Sequence, residues 1–294
     1  MLNNFIALIF LIQITGEKGK EKVKLIEAPK EIKSVKKVEN IKEVKEITEG
    51  EKEIRDIEER RGDGEINWTQ GVIRAEGRGV MDTSLPYAQA KAMAVRAAVV
   101  DAQRNLLEIV KGVYITSETT VENAMLKNDV IKTKVEGVIK NARMVGEPQI
   151  EGNLVKVVME IPLYDTGGIA PVFKEPEETE EKVKIKTPEK IAIVVKGEEY
   201  KPVIFPKVVD EEGKTVLNFK EIYNPKTGKF VKFGRVDEKY LEKLKKKGYK
   251  IIMAEKGEIG KIYIPKKYEK TVSRLKKIGK AVWDIGKFLL LVMS

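Results

Sequence analysis

The 294-residue chain carries 56 Lys and Arg against 46 Asp and Glu, a formal charge of +10 at pH 7, and is 42% hydrophobic and 35% charged. It contains neither cysteine nor histidine, which excludes disulfides, thiolate and imidazole metal sites, cysteine–histidine nucleophiles and serine–histidine triads. With only 9 aspartates and no D-x-D-x-D-G loop, the carboxylates do not gather into a cation site, so neither a metal nor a cofactor is expected.

Lysine (46) exceeds arginine (10) and glutamate (37) exceeds aspartate (9). This is the bias of heat-adapted proteomes, so a lysine cluster alone says little about nucleic acid. The charge is uneven. Residues 225–294 hold 20 Lys and Arg against 7 Asp and Glu, whereas residues 1–224 hold 36 against 39; the basic character belongs to the C-terminal quarter.

FIALIFLI, Phe5 to Ile12, is an unbroken apolar run followed by Gln13, Ile14, Thr15, Gly16 and dense charge from Glu17. It falls short of the ~20 residues of a membrane-spanning helix and matches the apolar region of a secretory signal. No Lys or Arg precedes it and Ile14 disturbs a small-residue cleavage site, so a buried N-terminal strand is the alternative. Residues 1–16 are read as a signal-like or anchor segment, which points to export. The absence of cysteine excludes lipidation at that residue.

Residues 17–65 form a charged, low-complexity spacer. In EIKSVKKVENIKEVKEI the apolar residues Ile32, Val35, Val38, Ile41, Val44 and Ile47 recur every third position. At ~100° per residue such a stripe winds around a helix instead of holding one face, and the period of two of a half-buried strand is missing. The spacer is expected to stay solvated, the alternative being an assembly helix formed with a partner.

Residues 66–165 are expected to form an α+β domain. WTQGVIRAEGRGV, Trp68 to Val80, reads as a strand with glycine-rich interruptions. TSLPYAQAKAMAVRAAVVDAQRNLLEIVKG then predicts a long Ala-rich helix, with Ser84 as N-cap, Pro86 in the first turn and Gly112 as the stop. Its apolar positions Ala88, Ala92, Val95, Val99, Ala102, Leu106 and Ile109 are spaced by three and four, and the alanines allow close approach to a sheet. Val113 to Val121 is strand-like and Ala124 to Val135 amphipathic. Ala142 to Ile150 and Leu154 to Leu163 are two strands across a turn at Glu151 to Asn153. One long helix packed on a small antiparallel sheet is a two-layer fold. Gly77–Arg78–Gly79 lies between strand and helix, as a phosphate loop would, but lacks the third glycine of G-x-G-x-x-G and any GK[ST]; a bulge or bend at the strand end is expected.

The order of a G-x-G strand, an AxxxAxxxAxxxAxRNLxExxxG helix, SETTV, DVIxTxVEGxIxxARxV and a closing hairpin resembles the domain of the lipoprotein-20 family. Related domains occur in outer-membrane lipoproteins and near the N-terminus of flagellar assembly protein T. The residues that carry the resemblance are Ala90, Ala94, Ala98, Asp101, Ala102, Arg104, Asn105, Leu106, Gly112, Ser117, Thr119, Thr120, Val121, Val135, Glu136, Gly137, Ala142 and Arg143. The resemblance implies a secreted protein of the periplasm or outer membrane with an assembly or interaction role, flagellar in some relatives. It brings no catalytic residue. The chain departs from the lipoproteins in having no cysteine, and from flagellar assembly protein T in its N-terminal spacer and basic tail.

Residues 166–190 are a linker, rich in Pro and Glu from Lys174. A second, β-rich unit spans residues 191–265. Its strands are IAIVV at Ile191, KPVIFPKVVD at Lys201 and KTVLNF, with turns at EEG and at Asn224 to Gly228. Lys239 to Lys247 is helical, and KIIMA at Lys250 and GKIYIP at Gly260 look like paired strands around KGEIG. Lys207, Asp210 and Glu212 belong to a block, Phe205 to Gly213, that is also found beside domains resembling the family, and they read as ordinary turn chemistry. Residues 266–294 form a basic amphipathic helix, with Val272, Leu275, Ile278, Val282, Ile285, Leu289 and Val292 on its apolar stripe. Arg274, Lys276, Lys277, Lys280, Trp283, Phe288 and Leu289 are its candidate interaction residues. Such a helix suits an anionic membrane surface, or it docks on its own domain or on a second copy.

The function expected from these elements is a non-catalytic, exported cell-envelope protein acting as an assembly or interaction module, with a protein partner or a second copy of itself. The alternative is a polyanion or nucleic-acid binder, with Tyr223, Phe230, Phe233 and Tyr249 interleaved among basic residues; nucleic acid is the weaker candidate. An enzyme without His or Cys would need paired carboxylates, and no acid pair stands out among the many solvated glutamates.

Overall fold

A computed structural model describes residues 54–174, 190–196, 199–228, 230–275 and 288–293. The apolar run at residues 5–12, residues 17–53 of the expected spacer and residues 175–189 of the expected linker lie outside them. The remainder of both is folded, not solvated: residues 54–65 bury Ile54 and Ile57 and enter the first sheet, and Ile169 and Ala170 are buried in the core. The class is α+β.

Residues with a period-two burial pattern build the first sheet. β1 (Glu58–Arg61), β2 (Gly64–Asn67) and β3 (Val72–Val80) are joined by β4 (Arg143–Met144), β5 (Gln149–Glu151) and β6 (Leu154–Pro162). Every pairing is antiparallel, in the order β1–β2–β3–β6–β4, with β5 also on β6. In β3, Ile73, Ala75, Gly77 and Gly79 turn to the covered face, and Arg74, Glu76 and Arg78 turn away from it.

The 25-residue helix α1 (Tyr87–Lys111) covers that face through Ala90, Ala94, Ala98, Ala102, Leu106 and Ile109. Ala88 and Ala92, expected on the apolar stripe, are exposed, and Val95 and Val99 are only half-buried. The contact runs through the smallest side chains because the strand beneath presents glycine. A Cβ on Gly77 would stand 2.2 Å from the backbone nitrogen of Ala102 and from the carbonyl oxygen of Ala98, and one on Gly79 2.0 Å from the carbonyl oxygen of Ala94. The GRG segment is therefore neither bulge nor bend: it stays in register with β6, Gly77 opposite Val157 and Gly79 opposite Val155. It lets helix and strand backbones touch.

The helix begins later than its expected cap. Pro86 is the N-cap residue and offers no side-chain bond; Ser84 serves the preceding turn, its N–H and hydroxyl donating to Asp82 Oδ1 at 2.9 and 2.7 Å. Gly112 ends the helix. Val113 to Val121 is a turn closed by one bridge between Tyr114 and Thr120, not a strand, because Thr120 caps α2 (Val121–Lys127) by accepting from the N–H of Asn123. Asn128 then ends α2 and caps α3 (Asp129–Lys140), accepting from the N–H groups of Val130 and Ile131. Gly152, at φ 60°, makes the turn between β5 and β6.

The rest of the chain adds β7 (Ile191–Lys196), β8 (Lys207–Val209), β9 (Thr215–Asn218), α4 (Phe219–Ile222), β10 (Lys232–Val236), α5 (Glu238–Lys246), β11 (Lys250–Met253), β12 (Lys256–Glu258), β13 (Lys261–Tyr263), α6 (Glu269–Ser273) and β14 (Phe288–Met293). One sheet is wholly parallel, ordered β10–β14–β7–β11; the other is mixed, ordered β12–β13–β8–β9. The strands at Lys250 and Gly260 therefore do not pair with each other. The segment KGE is itself the first arm of a hairpin that turns at Ile259–Gly260, with Glu258 opposite Lys261.

Parallel strands covered on both faces read as unbroken apolar runs. In β7, Ile191, Ile193 and Val195 face the large core, while Ala192 and Val194 face Tyr240, Leu241 and Leu244 of α5. β14 behaves alike: Leu290 and Val292 look into the large core, Leu289 and Leu291 toward α5. The expected C-terminal helix is thus wrong for Phe288–Met293, which lie as a strand between β7 and β10; the residues from Lys276 to Lys287 lie outside the described ones.

A single hydrophobic cluster joins Ile66, Leu106 and Ile161 to Ile193, Phe205, Phe219, Phe233 and Leu290. The N–H groups of Ile204 and Phe205 donate to the carbonyls of Tyr114 and Ile115, both at 2.9 Å, and the Tyr223 hydroxyl donates to the carbonyl of Tyr164 at 2.5 Å. The described residues pack as one compact unit.

Candidate functional site

Strand register lines up Arg60, Glu65, Arg74, Glu160 and Arg143 in one row across β1, β2, β3, β6 and β4. Residues directly opposite in antiparallel strands share a face, so this alternating row lies on the side away from α1. Arg74 Nε donates to Glu160 Oε2 at 2.7 Å, and its Nη1 lies 3.5 Å from Glu65 Oε1. Arg143 Nε donates to Glu160 Oε1 at 2.9 Å, and Nη2 bonds the same oxygen. Glu160 is 2% exposed. Both its oxygens are engaged by guanidinium groups.

Beside the row a groove of about 310 Å³ is lined by Arg60, Asp63, Glu65, Arg74, Glu76 and Arg78 among others. Arg78 donates to Glu76 at 2.8 Å and to Asp63 at 3.4 Å; the Glu76 bond, then the Asp63 charge, raise its pKa. These three cations meet three anions, leaving no net charge to attract a phosphate. Above Gly64, β3 has no strand on one side. There the Arg78 N–H donates to Asp101 Oδ2 at 3.0 Å and Asn105 Nδ2 donates to the Glu76 carbonyl at 2.8 Å, so two helix side chains close the open edge. Sequence reasoning missed both the row and this closure. The signals were the charges alternating at Arg74, Glu76 and Arg78, and polar residues on an otherwise alanine-lined helix.

Hydrogen bonds from Ser84 hold Asp82 below the usual carboxylate range. The bond between Lys256 and Glu258 raises the first and lowers the second. Burial pushes Tyr164, Tyr200 and Tyr223 upward. Each shift moves its group away from neutrality, the reverse of what proton transfer near pH 7 asks. Among the described residues no three acids gather to hold a metal ion.

Of the candidate interaction residues, Arg274 follows α6 and is exposed, while its neighbours Val272 and Leu275 are buried. Lys276, Lys277, Lys280 and Trp283 lie outside the described residues. Phe288 pairs with Ile191 at the start of β14. Leu289 is 4% exposed and packs in the core beneath α5, which corrects its placement on an interaction surface: spacings of three and four on a continuous apolar run also fit a strand buried on both faces. Among the described residues no helix is long and apolar enough to cross a membrane.

Tyr223, Phe230 and Phe233 are not a stacking platform. All three are buried, Phe230 4.4 Å from the Tyr164 ring and 5.7 Å from Tyr223. Asp210 makes the turn its sequence suggested, its Oδ1 accepting from the N–H groups of Glu212 and Lys214 at 3.1 and 2.7 Å. Compared with known proteins, the chain matches no family model and no curated protein.

Proposed function

We propose that the protein is a non-catalytic, exported component of the cell envelope that acts as an assembly or interaction module, in the manner of the lipoprotein-20 domain it resembles. One observation carries the reading: positions that bear the resemblance also build the helix–sheet contact. Ala94, Ala98 and Ala102 seat α1 on Gly77 and Gly79, Asp101 and Asn105 close the edge of β3, and Arg143 ends the charged row. These residues serve a scaffold. The apolar run at Phe5 to Ile12 and the charged spacer after it support export.

The test is fractionation of cells that make the full chain, with N-terminal sequencing of the mature protein. Recovery outside the cytoplasm with a new N-terminus near Glu17 is the expected result. Recovery from the cell interior with Met1 or Leu2 as the first residue would remove the reading.

A further inference from the structure

We propose that the amino-terminal edge of the parallel sheet is a docking surface for an anionic lipid membrane; this deepens the envelope reading and rests on it. Three separate stretches of chain converge there. β7 and β11 are parallel, with Ile191 opposite Lys250, so Lys190, Lys250 and the end of α5 emerge together. Lys190 Nζ donates to the Lys247 carbonyl at 3.2 Å, and Lys250 Nζ donates to Thr271 Oγ1 of α6 at 3.0 Å. Lys246, Lys270 and Arg274 flank these contacts.

All six basic side chains, Lys190, Lys246, Lys247, Lys250, Lys270 and Arg274, are exposed, and among the described residues none of them is in an ion pair. Glu242 of α5 is taken by Lys245, and Glu269 adjoins Lys270. The rim gathers positive charge that the sequence distributes over 85 positions, from 190 to 274.

A lipid surface fits better than a nucleic acid. Single strands bind where aromatic faces lie open between cations. Here Lys190 sits 5.6 Å above the half-buried Tyr249 ring and Lys267 5.0 Å above the half-buried Tyr268 ring, so neither ring lies open. Five of the six cations are lysines, point charges suited to an array of headgroup phosphates, where forked guanidinium groups suit bidentate recognition. The charges come from two strand ends and two helices, which is a rim and not a groove.

The intact protein is sedimented with phosphatidylcholine vesicles holding no, or about 30 mol%, phosphatidylglycerol, at about 0.05 and 0.5 M salt. It is expected to bind only the anionic vesicles and to release them at high salt. The variant Lys190→Gln/Lys247→Gln/Lys250→Gln is expected to bind at least about tenfold more weakly. Its charge-keeping counterpart with arginines is expected to bind normally. A control with equal charge loss on the helices over the first sheet, Lys91→Gln/Lys127→Gln/Lys132→Gln, is expected to change binding less than about twofold. Unchanged melting of each variant keeps the comparison valid. Equal losses in the rim and control variants would overturn the site, and tighter binding to a DNA oligonucleotide than to vesicles at equal phosphate would overturn the partner. An exported protein that ignores anionic vesicles defeats this inference alone; vesicle binding by a protein retained inside the cell defeats the export reading alone.

Discussion

Gly77 and Gly79 hold the helix by having no side chain. Gly77→Ala or Gly79→Ala places a methyl within 2.2 Å of helix backbone, which a packed interface relieves only by lifting α1; a loss of ~1–3 kcal/mol is expected in urea unfolding. Glu160 is the converse case, a residue whose charge is required. Glu160→Gln leaves the Arg74 and Arg143 guanidinium groups, 28% and 75% exposed, facing a neutral amide; water solvates the freed charges in part, and a loss of about 1–2 kcal/mol is expected; a loss under ~0.5 kcal/mol, the size of a surface change, would show that the row does not stabilise the sheet. Neither role was visible beforehand. A GRG triplet and a lone glutamate look alike in a loop and in a strand, and only the register of β3 against β6 tells them apart.

The buried tyrosines set a pH dependence. Burial raises Tyr164, Tyr200 and Tyr223 in the folded state, while in the unfolded chain they ionise near ~10. The folded state therefore keeps protons that the unfolded state releases, so their contribution is complete below that pH and is lost as pH rises above it toward the folded values. The melting temperature is expected to fall above pH ~10, and in an absorbance titration these three tyrosines are expected to ionise after the exposed ones. Ionisation of all nine tyrosines together in the folded protein would contradict their burial.

Among the elements, α1 and the hairpin of β5 and β6 were legible because their signals are local: a proline and a glycine bracket the helix, and Gly152 marks the turn. The stripe of α1 was legible only in its second half, from Ala102 onward, since counting hydrophobicity favours Val95 and Val99 over the alanines that make the contact. The break at Asn128 escaped because a capping residue inside an amphipathic run interrupts no periodicity. β14 was misassigned for a related reason. FLLLVM fits a helix stripe, and only its partners Ile191 and Lys232-to-Val236 reveal a central strand; the same unbroken apolar character in IAIVV was the available hint of a parallel sheet. Leu290→Pro removes a ladder N–H from the middle of that sheet, and is expected to abolish the cooperative unfolding transition. Substitution of exposed Val100 by Ala on α1 is expected to stay within ~0.5 kcal/mol of the parent.

Across the molecule, the spacing of signals along the chain suggested separate domains at residues 66–165 and 191–265, yet side chains from both spans share one core. Long-range contacts such as Trp68 with Phe233, ring centroids 6.4 Å apart, leave no local trace in sequence. A common core implies one thermal transition. Near-ultraviolet dichroism of the aromatic joint and far-ultraviolet dichroism of the helices are expected to melt together, and two separated transitions would show that the spans fold independently. The charge distribution, by contrast, was legible in bulk but not in place: a basic C-terminal quarter was evident, while the meeting of five of its cations with Lys190 at one sheet edge required β7 and β11 to run side by side.

The order of the parallel sheet, β10–β14–β7–β11, also bears on biogenesis. Of its four strands β14 is made last, and it separates β10 from β7. A nascent chain therefore carries β10 and the β7–β11 pair through synthesis without the strand that joins them, and chain ends that stop short of Phe288 leave the facing edges of β7 and β10 unpaired. A chain truncated before Phe288 is therefore expected to be cut by a protease faster than the full chain.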